Sequence, residues 1–233
     1  MIKALRIPLI LVLICFSTPG CNMGMTKLDL GLNAVTHATP RYKPGAVKPP
    51  HLRDGKRRPP LMVIPGLKNL ALYKPVTSSA KPTIGELEQI NDGIKKSGEF
   101  NIVEGPSWVQ VDLGAQVSIH AIAVWHFYKT PIIYNDVIVR VSDGADFSRN
   151  VRVLFNNDHD NSAGLGKGED TAFISRWCGE VVDARRPDRA GTTARFVRLH
   201  TGKGAGGESP RYVEVAVYGM KTEKKEDLGS ERR

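Results

Sequence analysis

Two stretches carry the side chains best suited to chemistry. Residues 125–134 place four aromatics (Trp125, Phe127, Tyr128, Tyr134) with His126 and Lys129 in ten positions. A sugar offers an apolar face of C–H groups and a rim of hydroxyls, so rings beside hydrogen-bonding groups suit it. His126, Tyr128, Lys129 and Tyr134 are therefore candidate ligand contacts; Trp125 and Phe127 fit a core equally well, and each of the others can also simply cover an edge. The second stretch runs through residues 156–162, seven consecutive polar residues, with Gly164, Gly166 and Gly168 behind them. It reads as a loop, and Asn157 and His159 are its candidate ligand contacts. Side-chain oxygens at this density suit hydroxyls or a hard cation such as calcium. Asp158, Asp160, Ser162 and Glu169 fall at positions one, three, five and twelve of a calcium-loop register. Ala163, however, stands where the sharp turn wants Gly, and no amphipathic helices flank it. His159 and Asp160 do not make an acid–base pair, because neighbours on extended backbone point to opposite sides.

The elements that must position these loops are strands. Val109, Val111 and Leu113 alternate with Gln110 and Asp112, the period of a strand with one buried face, and Gly114 is expected to stop it. Strand-like runs cover residues 107–113, 118–125, 136–142, 150–155, 194–200 and 212–218, separated by Gly, Pro, Asn and Asp clusters. Val137, Val139 and Val141 alternate with Ile138 and Arg140, so one face there is apolar. A short helical turn is expected near residues 85–90. The pattern is all-β and suits a sandwich or barrel, with no βαβ alternation and no internal repeat. There is no nucleophile elbow, no zinc-ligand spacing and no phosphate-cradling glycine loop in a strand-to-helix context. The chain reads as a binding protein and not as an enzyme.

Four blocks narrow this further. Residues 69–79, 108–114, 194–199 and 213–219, in that order, resemble the discoidin (coagulation factor 5/8 type C) domain over about residues 67–220. The resemblance implies a jelly-roll β-sandwich of the galactose-binding-like group. Sugar-binding members contact ligand through a basic residue and a His or Tyr from the region of residues 125–134, although the expected Arg is absent here. It also implies one structural calcium, held between an Asp-Gly loop and a Glu opening the last strand. Asp92, before Gly93, and Glu214 match those positions, and Gln89 and Ile94 would contribute backbone carbonyls.

The chain ends speak of destination. Lys3 and Arg6 precede an apolar run from Ile7 to Phe16, too short to span a hydrocarbon core of about 30 Å as a helix, so residues 1–20 read as a signal peptide. Gly20-Cys21 resembles a lipoprotein cleavage box, with Thr18 and Pro19 departing from the usual pattern; an ordinary signal peptide is the alternative. Lipidation at Cys21, followed by Asn22, implies an exported, outer-membrane or cell-surface lipoprotein. With Cys15 removed and Cys21 lipidated, Cys178 has no partner within the chain, so no disulfide framework is expected and Cys178 suits a small buried role.

Residues 21–60 read as a linker. From Pro40 to Pro60 there are six prolines and seven basic residues against one acid, a composition that cannot bury enough surface to order itself. The sandwich would occupy residues 61–220 and a charged tail residues 221–233. The formal charge of +9 belongs partly to the linker. For an exported chain its basic run suits anionic headgroups better than nucleic acid, or it is merely solvated. The reading that follows is a lipid-anchored carbohydrate-binding module at the cell envelope. A protein-binding scaffold in an envelope assembly and a phospholipid-binding module are the alternatives.

Overall fold

Short alternating apolar runs pair here into antiparallel ladders. The computed structural model describes residues 24–32, 51–53, 59–96, 102–204 and 207–222. The expected signal peptide, Cys21, most of the linker and all of the charged tail after Thr222 lie outside these residues. Thirteen strands follow in chain order: β1 (Thr26–Lys27), β2 (Met62–Val63), β3 (Lys68–Asn69), β4 (Val76–Ser78), β5 (Val103–Glu104), β6 (Trp108–His126), β7 (Ile133–Tyr134), β8 (Val137–Ser142), β9 (Arg152–Asn156), β10 (Phe173–Ile174), β11 (Glu180–Asp183), β12 (Thr192–Thr201) and β13 (Arg211–Lys221). The expected helical turn is a 3-10 turn at Leu87–Asn91, where Gln89 Oε1 accepts from the Glu86 amide. The chain is the all-β sandwich that its patterning implies.

β6 organises it. Its first half pairs with β4 and β12, and its second half with β11 and β13. β12 passes on to β8 and then β9. Gly114 does not end the strand, contrary to the expectation from its residue type. It sits at φ 85°, donates its amide to Asp112 Oδ1 at 2.8 Å, and bends a strand that continues to His126. Opposite this bend the β12 register shifts between Ala194 and Phe196.

A further shift in β13, between Tyr218 and Gly219, changes which β6 side chains face inward. Val109, Val111, Leu113, Val117 and Ile119 join the core before it, Ile122 and Val124 after it. Gly219 passes against the Ser118 carbonyl, where any side chain would collide. The core is closed by Val139 and Val141 of β8, Val197 and Leu199 of β12, and Val215 and Val217 of β13.

A second apolar layer lies on the opposite face of the β11–β6–β13 half. Ala121, Ala123, Trp125, Ala216 and Tyr218 are small or flat there, and Leu28, Val63 and Ile102 pack onto them, with Leu30, Leu32 and Leu61 alongside. β1 and β2 form the ladder that holds this strap. Residues 24–32, which composition assigns to the linker, are thus bound to the sandwich, because Leu28, Leu30 and Leu32 alternate and find an apolar bed.

Candidate ligand-binding site

Strand register decides where the candidate ring residues go. β6 runs to His126, whose side chain points inward; it is 2 % exposed and stacks on Tyr134 at 4.1 Å between ring centroids. His126 Nε2 lies 3.0 Å from Thr201 Oγ1, and Phe173 and Tyr212 complete the aromatic cluster. Burial pushes the His126 pKa down to about 3, so the ring is neutral. Tyr128 is also interior, its hydroxyl donating to the Lys95 carbonyl at 3.1 Å. Of the four candidates in this stretch, His126, Tyr128 and Tyr134 are packed in the interior, and Lys129 alone is exposed.

Asn157 is wholly buried as well. Its amide donates to the Tyr134 and Thr171 carbonyls, and its Oδ1 accepts from the Val137 amide at 2.6 Å. It therefore ties the loop before β8 to the loop after β9. Those loops also bring together a different set, of which Asp160 is exposed, Asp136 half-buried and Asp158 fully buried. The carboxylates of Asp136, Asp158 and Asp160 lie within 4.8 Å of one another. Asp158 Oδ1 accepts from the Ser162 amide and hydroxyl, and its Oδ2 from the Ala163 amide. Burial, reinforced by the Asp158 and Asp160 charges, pushes the Asp136 pKa up to about 6, whereas hydrogen bonds with Asp158 and Ser162 hold Asp160 below the usual range. Beside them the half-buried His159 ring stacks on the exposed His51 ring at 4.3 Å. Glu169 makes no part of this cluster.

Sequence pattern alone misses Asp136 and His51. Asp136 had a signal, since it immediately precedes a strand whose end the polar loop must adjoin. His51 had none, lying more than a hundred positions from His159.

The Asp92–Glu214 pair meets at the other candidate centre. Glu214 on β13 is fully buried; its Oε2 accepts from the Gly93 amide at 3.1 Å and its Oε1 has no partner. Asp92 Oδ1 accepts from the Ile94 amide, and the Ile94 side chain is exposed. Desolvation pushes the Glu214 pKa up to about 8, with the Gly93 hydrogen bond and Lys95 opposing. An orphaned buried carboxylate oxygen beside a tight Asp-Gly turn fits a hard cation. The Gln89 side chain is engaged by the Glu86 amide, so Gln89 could offer only its carbonyl.

Among the described residues two hydroxyl–imidazole contacts occur, and neither makes a nucleophile. Ser118 Oγ lies 3.3 Å from His120 Nε2, but His120 Nδ1 is buried with no group to orient it. The Thr201–His126 pair is buried, and His126 Nδ1 likewise has no partner to orient it. Cys178 is half-buried and unpaired, near a cavity of about 530 Å³ between the strap and β11, where Arg53 bridges Glu180 through both guanidinium nitrogens. Among the described residues no helix is long and apolar enough to cross a membrane.

No model of a known protein family matches the chain, and no curated protein matches it. Solved structures do. A family 89 glycoside hydrolase from Clostridium perfringens aligns with 16 % identity and a TM-score of 0.47 over 66 % of this chain, which spans 15 % of that enzyme's length. A fucose binding module from Streptococcus pneumoniae aligns over 66 % of this chain and 100 % of its own, with 17 % identity and a TM-score of 0.46. The chitosan-binding module 1 of a Paenibacillus sp. IK-5 chitosanase/glucanase aligns over 65 % of this chain and 99 % of its own, with 17 % identity and a TM-score of 0.42.

Proposed function

We propose that the chain is a non-catalytic carbohydrate-binding module. One observation carries this reading: loops from two separate parts of the sandwich bring Asp136, Asp158 and Asp160 together beside the stacked His51 and His159 rings. The exposed Asp160 and half-buried Asp136 carboxylates can accept from sugar hydroxyls while buried Asp158 braces the loop, and the exposed His51 ring can receive C–H groups. Only some of these polar groups are exposed, so affinity for a single sugar is modest.

The test is a glycan and polysaccharide screen on the full mature chain, with Asp160→Ala and His159→Ala as variants. Both positions lie outside the core, so the variants stay folded. Hits that weaken in both variants support the site; a folded wild-type protein that binds no glycan overturns it and moves the function to protein scaffolding.

Two further parts belong to this reading. Calcium sits between the Asp92 loop and Glu214, supported by the buried carboxylate with one oxygen unpartnered. Export and lipid anchoring at Cys21 rest on the basic start, the apolar run and the Gly20-Cys21 step. Cys21→Ser should abolish incorporation of labelled fatty acid and release the protein from membranes. Unchanged labelling would remove the anchor.

A further inference from the structure

The outer face of the half-sheet formed by β4, β6, β12, β8 and β9 carries chemistry that the loop site does not use. Arg198 lies directly across from Gln110 of β6 on one side and Arg140 of β8 on the other. Like charges placed opposite each other destabilise a ladder, and among the described residues no carboxylate forms an ion pair with either arginine. Arg198 spends its donors on neutral groups: Nε and Nη2 on Gln110 Oε1 at 2.9 and 2.6 Å, and Nη2 also on the Ala145 carbonyl. Arg140 Nη2 lies 2.9 Å from His200 Nε2, while its Nε is buried without any partner. Asp146, whose field reaches Arg198, accepts from the Ser148 amide and hydroxyl.

The loop after β8 holds this charge in place. The Arg198 guanidinium lies between the Trp108 and Phe147 rings, 4.3 and 4.0 Å from their centroids, and Arg140 lies 5.3 Å from Phe147. Phe147 sits at φ 57°, a backbone conformation an aromatic residue adopts only under local constraint. Burial and the two guanidiniums lower the His200 pKa to about 4, so its ring accepts from Arg140 and adds no third charge. Two fixed guanidiniums, half-buried, without an ion pair and offset only by the field of Asp146, are arranged as an anion site requires.

We propose that this face binds an oxyanion, a sulfate ester or a uronate carboxylate, carried on an acidic polysaccharide. The choice of carrier rests on the carbohydrate reading above; the anion chemistry does not. The row Thr77, Gln110, Arg198, Arg140 and Val153 crosses five strands, about 19 Å at ordinary strand spacing, and ends in exposed residues on both sides. Gln110 within the row is buried, so a polymer would meet it at Thr77, the two half-buried arginines and Val153.

The test is affinity electrophoresis of the full chain in gels holding dextran sulfate, carboxymethyl dextran or plain dextran. We expect retardation by at least one charged polymer beyond plain dextran, and which one responds identifies sulfate ester or carboxylate. Arg140→Lys with Arg198→Lys keeps both charges but loses the forked donors, and should weaken binding about tenfold. Lys81→Gln with Lys167→Gln removes two exposed charges elsewhere and should change it little. The opposite pattern, or no retardation, overturns the proposal by assigning any binding to net charge. Arg198→Lys alone is the fallback if the double variant melts early. Asp160→Ala should leave the retardation intact, so a blank neutral-glycan screen beside this pattern would remove the loop site and keep the anion site.

Discussion

Glu214 and Gly93 are joined by a single hydrogen bond, and among the described residues it is the only one this fully buried carboxylate receives. Its pKa of about 8 makes ionisation costly in the folded state. A carboxyl raised from 4.5 contributes stability that is complete below 4.5 and is lost as the pH rises through 8. Without added cation, stability should therefore fall by on the order of 3 kcal/mol between about pH 5 and about pH 7.5. Saturating calcium should restore the melting temperature at the higher pH and do little at the lower. Glu214→Gln removes both the slope and the calcium response, and scanning fluorimetry of the two proteins reads the difference. A calcium gain that survives the substitution would place the cation elsewhere.

His126 runs the other way. Its folded pKa of about 3 lies below the ordinary 6.5, so its contribution is complete above 6.5 and is lost as the pH falls toward 3. His126→Phe should cost stability at neutral pH through the lost contact with Thr201. That deficit should shrink by about 2–3 kcal/mol on going to about pH 4.5, where the wild-type ring resists its proton. Urea titrations at the two values check this; a constant gap would mean that the ring is not the acid-sensitive group.

Asn157 holds two loops with one amide. Replacing it with Ala leaves the Val137 amide and the Tyr134 and Thr171 carbonyls without their partner, which should cost about 2–4 kcal/mol. The loop before β8 should loosen as well, so glycan binding should weaken even though Asn157 touches no solvent. Retained affinity in a destabilised variant would separate the loop end from the binding site.

The strap can be tested through Leu28. It is 6 % exposed and packs on the alanines and Trp125 of the outer layer, so Leu28→Ala should cost about 2–3 kcal/mol. Wild-type stability in that variant would show the layer to be dispensable.

The residue pattern shows the strands and not their path. Val109, Val111 and Leu113 announce a strand because alternation is a local property. Gly114 looks like a terminator for the same local reason, and only the register shift in the partner strand shows that the glycine is a bend. Candidate ring residues at 125–134 fail to reach solvent because β6 extends to His126 and carries that side chain inward, a consequence of partners far along the chain. Lys129 alone in that stretch follows the expectation of exposure. Glu214 was singled out only through a family resemblance, whereas the Asp136–His51 neighbourhood depends on loops brought together from distant positions.

β6 has a kinetic consequence. Its partners β12 and β13 follow it by roughly eighty to a hundred positions, so neither half of the sandwich has an interior strand until contacts of that separation close. Loop closure must come before the ladder repays it, which makes folding slow and leaves the unpaired Val-rich edges of a nascent chain open to aggregation until residue 221 has emerged. Fragments ending before β12 should therefore be insoluble, not partly folded.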